Sequence, residues 1–481
     1  MRQHRQRRID HVVTTKVMTR PDIPASIFRA YDIRGVVGRT LTVDVARLIG
    51  QGIGAIAAEQ AEQAVIVGRD GRHSSPALAG ALIEGLRASG RDVIDIGMAP
   101  TPLLYFATRH LPANSGVMVT GSHNGPEYNG MKLIVAGRTL FGEALQTIYQ
   151  RILAGDFRRG NGALSRAEVR DDYLKRVISD TPPGGNATAL DMVIDCGNGA
   201  AGVVAPELFR ALGHRVDEMY CEVDGAFPNH HPDPSQPENL EALIDRVLAT
   251  GADIGLAFDG DGDRLGVVDS NGHIIWPDRQ LMAFARDVLS RNQGASIVYD
   301  VKCSRYLKTV IETAGGVPLM WKTGHSLIKS KMEAEQAPLA GELSGHIFFK
   351  ERWYGFDDAL YAGARLLEIL VQSKMSSATL FAAMPEGVST PELRVQLPET
   401  EHRAYMRKLR ANADFPDAQI IDTDGIRVEF ADGWGLVRPS NTSPVLTVRF
   451  EADDDAALKR IQAQFRTLLQ SSAHHPMALP F

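Results

Sequence analysis

The chain is short of cysteine, has no long apolar run and carries no surplus of basic charge. Its three cysteines, Cys196, Cys221 and Cys303, stand too far apart for a CxxC motif. So sparse and odd a set excludes a disulfide framework and fits a reducing compartment, which makes the cytoplasm the expected location. No stretch reaches the roughly 18 uncharged apolar residues of a membrane span. The Arg-rich start (Arg2, Arg5, Arg7, Arg8) is not followed by the apolar core of a signal peptide. With 52 Lys and Arg against 58 Asp and Glu, the net charge of -6 argues against a general nucleic-acid binder and leaves room for a local anion pocket.

What is present is an ordinary globular composition, 44% hydrophobic and 23% charged over 481 residues. At about 150 residues per domain that length suggests roughly three domains. Residues 1–25 read as a flexible arm: the first 17 show no apolar periodicity, and Met18 offers a second start. From Val43, the apolar positions Val45, Leu48, Ile49, Ile53 and Ile56 keep helical spacing, and Val65-Ile66-Val67 then reads as a buried strand. Ser75-Pro76 and Thr101-Pro102 each offer an N-cap followed by proline, so helices follow strands 65–70 and 93–97 before a strand at 116–120. The same grammar returns at 192–196, 253–258 and 296–301, which predicts repeated α/β units with mostly parallel strands and ligands beyond their carboxyl ends. After about residue 385, Pro- and Asp-broken segments and an amphipathic stretch near 454–470 predict a smaller domain of different build. The Pro-rich segment 222–239 reads as an ordered loop, and its His230 and His231, adjacent with no further His or Cys at ligand spacing, read as structural and not as metal ligands.

Four loops carry candidate chemistry. In Phe258-Asp259-Gly260-Asp261-Gly262-Asp263-Arg264, three carboxylates alternate with glycine after an apolar strand, a hard oxygen set that suits Mg²⁺. Spacing excludes an EF-hand, because Arg264 stands where that loop needs glycine. In Val119-Thr120-Gly121-Ser122-His123-Asn124-Gly125, Ser122 tops a strand without the G-x-S-x-G elbow, and its neighbour His123 is expected to point away from it. Arg438-Pro439-Ser440-Asn441-Thr442 has the composition of an oxyanion cradle. Glu342 and Ser344, two apart in Gly341-Glu342-Leu343-Ser344-Gly345-His346, are candidates to meet neighbouring sugar hydroxyls.

Together with Arg29-Ala30-Tyr31-Asp32-Ile33-Arg34-Gly35 and Lys322-Thr323-Gly324-His325-Ser326, these loops resemble the α-D-phosphohexomutases, within them the bacterial bifunctional phosphomannomutase/phosphoglucomutase group. The resemblance covers nearly the whole chain after about residue 26 and departs from the family at Gly125, where the serine loop usually has proline. It implies four domains around one cleft: three related α/β units with mixed, mostly parallel sheets (26–170, 171–273, 274–385) and a C-terminal α+β domain (386–481). It implies Ser122 as phosphoserine, and Asp259, Asp261 and Asp263 as ligands of Mg²⁺ with a phosphoserine oxygen. Arg34, His123, Lys132, Arg264 and His346 are implied around the phosphoryl group. Tyr31, Lys302, His325, Glu342, Ser344, His346, Arg438, Ser440, Asn441 and Thr442 are implied along the sugar phosphate. The implied reaction interconverts the 1- and 6-phosphates of mannose and glucose through a bound hexose 1,6-bisphosphate, with glucose 1,6-bisphosphate as activator, in a cytoplasmic monomer that supplies nucleotide-sugar and polysaccharide precursors. A haloacid-dehalogenase-type phosphatase using Asp259 as nucleophile, and a non-catalytic sugar-phosphate sensor, are the weaker readings.

Overall fold

The computed structural model describes residues 23–181, 189–397, 401–440, 445–473 and 477–481. The expected arm up to residue 22, and Asn441 and Thr442, lie outside the described residues.

Three of the four sheets repeat one plan. In the first, strand Ala64–Arg69 lies between Asp92–Met98 and Gly116–Val119, parallel to both, and Tyr128–Val135 returns antiparallel to Gly116–Val119. In the second, Asp191–Asp195 lies between Arg215–Met219 and Ile254–Phe258, and Leu265–Asp269 returns. In the third, Ser296–Asp300 lies between Val317–Trp321 and Leu339–Gly341, and Ile347–Phe349 returns. The turn into the returning strand is therefore one topological place used three times. It carries Ser122, then Asp259 to Asp263, then Glu342 to His346. Strands Ile33–Val36, Arg138–Thr139 and Leu164–Arg166 extend the first sheet, and Ile274–Ile275 extends the second.

The central strands are continuous apolar runs because both of their faces are covered. Val65 and Val67 pack with helices Val43–Glu59 and Ser75–Ala88, while Ile66 points the other way with Leu103 and Phe106. Thr42 caps the first of these helices through its Oγ1, which accepts from Val45 N at 3.2 Å. The two helices cross so closely that a Cβ on Gly50 would strike the Leu82 carbonyl. The expected caps at Ser75 and Thr101 are corrected: the N-cap positions are Ser74 and Pro100, without side-chain capping bonds. The Ser75 and Thr101 hydroxyls instead donate to Asp70 and Asp261, so they brace loops of the site.

The fourth sheet is antiparallel, built from Val388–Ser389, Leu393–Gln396, Gln419–Ile421, Ile426–Phe430, Gly433–Pro439 and Val445–Ala452. Helices His402–Asn412 and Asp455–Ser472 cover one face, where Leu409, Ile461 and Phe465 bury against Val428, Val437 and Val448. On the other face Trp434 and Leu436 pack on Val301 of the third unit. Arg427 lies over the Trp434 ring at 3.7 Å and donates to the carbonyls of Val301 and Cys303 at 2.6 and 2.7 Å. Glu451 accepts from Trp434 Nε1 at 3.1 Å and from Ser304 Oγ at 3.0 Å. A single apolar core runs from helix Thr101–His110 through Phe258 to Phe349 and Leu366, tying the first three units together. Among the described residues, no helix is long and apolar enough to cross a membrane.

Candidate active site

Ser122 follows the buried strand Gly116–Val119 and adopts φ 48°, a left-handed conformation that costs a side-chain-bearing residue roughly 1–2 kcal/mol. Ser122 N donates to Thr120 Oγ1 at 2.8 Å, and Gly121 N donates to Asp70 Oδ2 at 3.0 Å. Arg34 donates to the Gly121 carbonyl and to Asn124 Oδ1, and pairs with Asp32. This turn brings Ser122 Oγ to 2.9 Å from Asp259 Oδ2 and 3.3 Å from His123 Nδ1. The expectation that Ser122 and His123 diverge is thus corrected, because the left-handed residue folds neighbouring side chains together. Burial, with the charges of Arg264 and Arg34, holds His123 well below the usual imidazole range, so it is neutral.

The three aspartates are fully buried, with ligand oxygens within 4.8 Å of one another. Gly260 lies against the Ser122 carbonyl, where a Cβ would not fit, and Gly262 takes φ 73°. The alternating glycines therefore let two domains meet at this loop. Asp259 Oδ1 accepts from the backbone N of Asp263 and Arg264 at 3.0 and 3.2 Å, leaving Oδ2 to Ser122. Lys132 donates to Asp261 Oδ2 at 2.7 Å and to Asp263. Burial opposes the Lys132 charge, but Asp261 and Asp263 outweigh it and raise its pKa. Burial and the charges of Asp261 and Asp263 push Asp259 well above the carboxylate range. The second oxygens of Asp261 and Asp263 are buried and accept no hydrogen bond among the described residues, although His346 Nδ1 lies 3.5 Å from that of Asp263. An all-oxygen set with two orphaned acceptors fits a hard divalent cation.

The sugar-side candidates lie in the third and fourth units, apart from Tyr31 of the first. Residues 342–346 form a tight turn in which Glu342 N donates to the His346 carbonyl at 2.9 Å and Gly345 N donates to the Glu342 carbonyl at 3.1 Å. Glu342 and Ser344 are therefore not on one strand face. Glu342 accepts from Gly324 N at 2.6 Å, while Ser344 borders a small cleft with Leu265, Trp276 and Gln280. Lys302 pairs with Glu392 of the fourth domain at 2.6 Å. Tyr31 donates to the Thr323 carbonyl at 2.6 Å, and its ring fills the space a Cβ on Gly324 would need. Arg438 Nε donates to Asp424 Oδ2 at 3.0 Å, and its buried Nη2 has no hydrogen-bond partner among the described residues. Ser440 N donates to the Val445 carbonyl at the end of strand Gly433–Pro439. His230 Nε2 lies 2.9 Å from Asp195 Oδ2.

Several site residues were not foreseen. Asp357 is fully buried between His325, His346 and Lys329, facing their nitrogens at 3.4, 3.1 and 2.9 Å. It precedes a helix as half of Asp357-Asp358, which reads as a cap, yet only Asp358 caps, accepting from Tyr361 N at 2.9 Å. Arg264 Nε donates to His346 Nε2 at 3.1 Å, which makes Nε2 an acceptor and leaves the ring proton on Nδ1 toward Asp357. Asp70, Arg72, Glu392 and Asp424 also went unread. Asp70-Gly71-Arg72 ends the first central strand, and that position was its signal.

A buried serine set against three carboxylates, with Arg34, Lys132 and Arg264 around them, is the arrangement of a phosphoryl-transfer enzyme. Family comparison agrees over the whole fold. Descriptions of phosphoglucomutase/phosphomannomutase alpha/beta/alpha domains I, II and III match residues 25–159, 171–272 and 276–387, and the C-terminal domain matches 392–468. The phosphomannomutase/phosphoglucomutase of Pseudomonas putida is 55% identical over 447 residues, 93% of this chain and 96% of that protein. The solved phosphoglucomutase/phosphomannomutase family protein of Burkholderia thailandensis superposes with a TM-score of 0.90 at 51% identity, covering 96% of this chain and all of that one. In fold alone the chain is similar to Aspergillus fumigatus N-acetylphosphoglucosamine mutase, solved with GlcNAc-6P and magnesium (TM-score 0.59, 12% identity, 93% and 97% of the two chains). The chain belongs to the phosphoglucomutase/phosphomannomutase family. It is a phosphohexomutase, an isomerase that interconverts hexose 1-phosphates and hexose 6-phosphates.

Proposed function

We propose that Ser122 is the phosphoryl carrier of a mannose and glucose phosphomutase. The observation that carries this is Ser122 Oγ held 2.9 Å from Asp259 in a strained, buried turn. Both Asp259 oxygens are engaged, Oδ1 by backbone N–H groups and Oδ2 by the serine, which speaks against Asp259 as the nucleophile. In the phosphoenzyme the bond between Ser122 Oγ and phosphorus breaks as the free hydroxyl of a hexose 1- or 6-phosphate bonds to that phosphorus. The hexose 1,6-bisphosphate then turns around, and its other phosphate returns to Ser122.

Arg34, Lys132 and Arg264 neutralise charge on the transferring group. His123, neutral beside Oγ, exchanges the serine proton, and His346 takes the proton of the sugar hydroxyl at Nε2, which releases its bond from Arg264 Nε to do so. Asp259, Asp261 and Asp263, with a phosphoserine oxygen, would hold Mg²⁺, whose positive charge stabilises the phosphoryl group when bound. Arg438, Ser440, Asn441 and Thr442 hold the remote phosphate, and Tyr31, Lys302, His325, Glu342, Ser344 and His346 meet the sugar. The magnesium and sugar phosphate of the Aspergillus relative support this assignment. The same reading takes the domains as 26–170, 171–273, 274–385 and 386–481, glucose 1,6-bisphosphate as activator, and the protein as a cytoplasmic monomer.

Intact-mass analysis after incubation with glucose 1,6-bisphosphate tests the carrier. Wild type should gain one phosphoryl group at Ser122. Ser122→Ala should gain none and lose turnover by orders of magnitude. Near-native turnover in that variant would sink the assignment.

A further inference from the structure

One large buried cation has no part in the chemistry above. Arg72 is 1% exposed, and its guanidinium is fully used. Nε donates to Asp70 Oδ2 at 3.1 Å. Nη1 donates to the carbonyls of Gly125 and Tyr128 at 2.5 and 3.1 Å, and Nη2 to those of Ser122 and Asn124 at 2.7 and 2.6 Å. Four of the five bonds therefore end on the turn that carries the nucleophile or on its exit. Gly121 packs so tightly on the fork that a Cβ there would collide with it. Asp70 completes the clamp, since the oxygen that receives Arg72 Nε also receives Gly121 N. The open face of the guanidinium is covered from the second domain by Phe227, whose ring centroid lies 4.9 Å away. Gly225 of the same Pro-rich loop rests on the backbone of Arg72 and His73, so this loop is built to close over the arginine.

A lone buried arginine needs only its aspartate and any nearby acceptors. Here the acceptors belong to one loop, and that loop holds the left-handed Ser122. Its peptide oxygens carry negative partial charge beside a place that must admit a phosphoryl dianion. Arg34 takes the Gly121 carbonyl, and Arg72 takes the next ones. At Gly125, which has no side chain to stiffen it, the arginine fork holds the loop from outside through the carbonyl.

We infer that Arg72 is a positioning residue for phosphoryl transfer. It fixes the backbone of Ser122 and screens the carbonyl oxygens of its loop, and Phe227 locks it across the domain boundary. The inference rests on Ser122 being the carrier.

The test compares wild type with Arg72→Lys, which keeps a point charge and loses the planar fork, and Arg72→Met, which keeps only an apolar stem. Steady-state kinetics on glucose 1-phosphate is run beside mass analysis of Ser122 phosphorylation and a thermal melt. Both variants should lose about a hundredfold in kcat, while KM, set mainly by the third and fourth domains, moves less than about threefold. Phe227→Leu should lower kcat about three- to tenfold, and Phe227→Tyr should restore it. Folded Arg72 variants with kcat within about threefold of wild type would overturn the inference. Should they not fold, Gly121→Ala decides, because it leaves Arg72 in place and displaces the fork: unchanged kcat there overturns the inference equally. An active Ser122→Ala would overturn the carrier reading itself, whereas active Arg72 variants beside an inactive Ser122→Ala overturn the positioning role alone.

Discussion

The imidazoles of His325 and His346 lie stacked, centroids 5.4 Å apart and 23° from parallel, and both turn Nδ1 toward the same oxygen of Asp357. One carboxylate charge thus lies within 3.4 Å of two rings of the site without a well-formed hydrogen bond to either. Burial and the nearby Lys329 push His325 down to about 4, so it is neutral at neutral pH.

Asp357→Asn should therefore lower kcat between about tenfold and a thousandfold, because an amide can present N–H to the ring nitrogens and no longer fixes the Nδ1 protons. Steady-state kinetics on the folded variant checks this. A kcat within about twofold of wild type would show that the histidines need no such anchor.

Asp261→Asn removes one of the three carboxylates proposed to hold Mg²⁺ and leaves Lys132 paired with Asp263. Titration calorimetry should show weaker Mg²⁺ binding by at least about tenfold, with lost activity recovered in part at high Mg²⁺. An unchanged affinity would take Asp261 out of the metal site.

Gly125→Pro should stabilise the protein by about 0.4–1 kcal/mol through the unfolded chain. Gly125 is outside the left-handed region, and the atoms nearest to a Cβ there belong to the terminal carboxylate of Glu127, the far end of a flexible side chain. A raised melting temperature is expected. A lower one would show that the glycine's freedom is used.

Glu342 gives a pH test. Burial, reinforced by Asp300, pushes its carboxyl up to about 7 from an ordinary 4.5. The unfolded chain ionises Glu342 first, so wild type loses stability as pH rises from about 5 to about 7 and levels off above. Melts of wild type and Glu342→Gln should diverge across that window, the variant gaining relative to wild type. Parallel curves would place the carboxyl elsewhere.

The repeated α/β plan was legible because Val65-Ile66-Val67 and its counterparts are apolar on both faces, which only a covered parallel strand requires. The aspartate loop was legible because its three ligands sit within five residues. Arg72 and Asp357 were not, because their meaning lies in partners far along the chain: Arg72 meets Ser122 from 50 residues away, and Asp357 meets Lys329 from 28. Thr101 misled for the same reason, since a hydroxyl before a helical proline suggests a cap until Asp261, 160 residues on, claims it, whereas Ser75 donates to Asp70 only five residues back.

The clasp around Trp434 bears on how such chains exchange parts. Arg427 and Glu451 belong to the fourth domain, but the carbonyls of Val301 and Cys303 and the hydroxyl of Ser304 that satisfy them belong to the third. A chimera cut near residue 386 would leave Arg427 Nη1 without its two carbonyls and Glu451 without Ser304, with Glu429 and Trp434 as their remaining partners, unless the recipient's 301–304 segment matched the incoming sheet. The heritable module is therefore that seam with both of its sides, and the C-terminal domain does not travel alone.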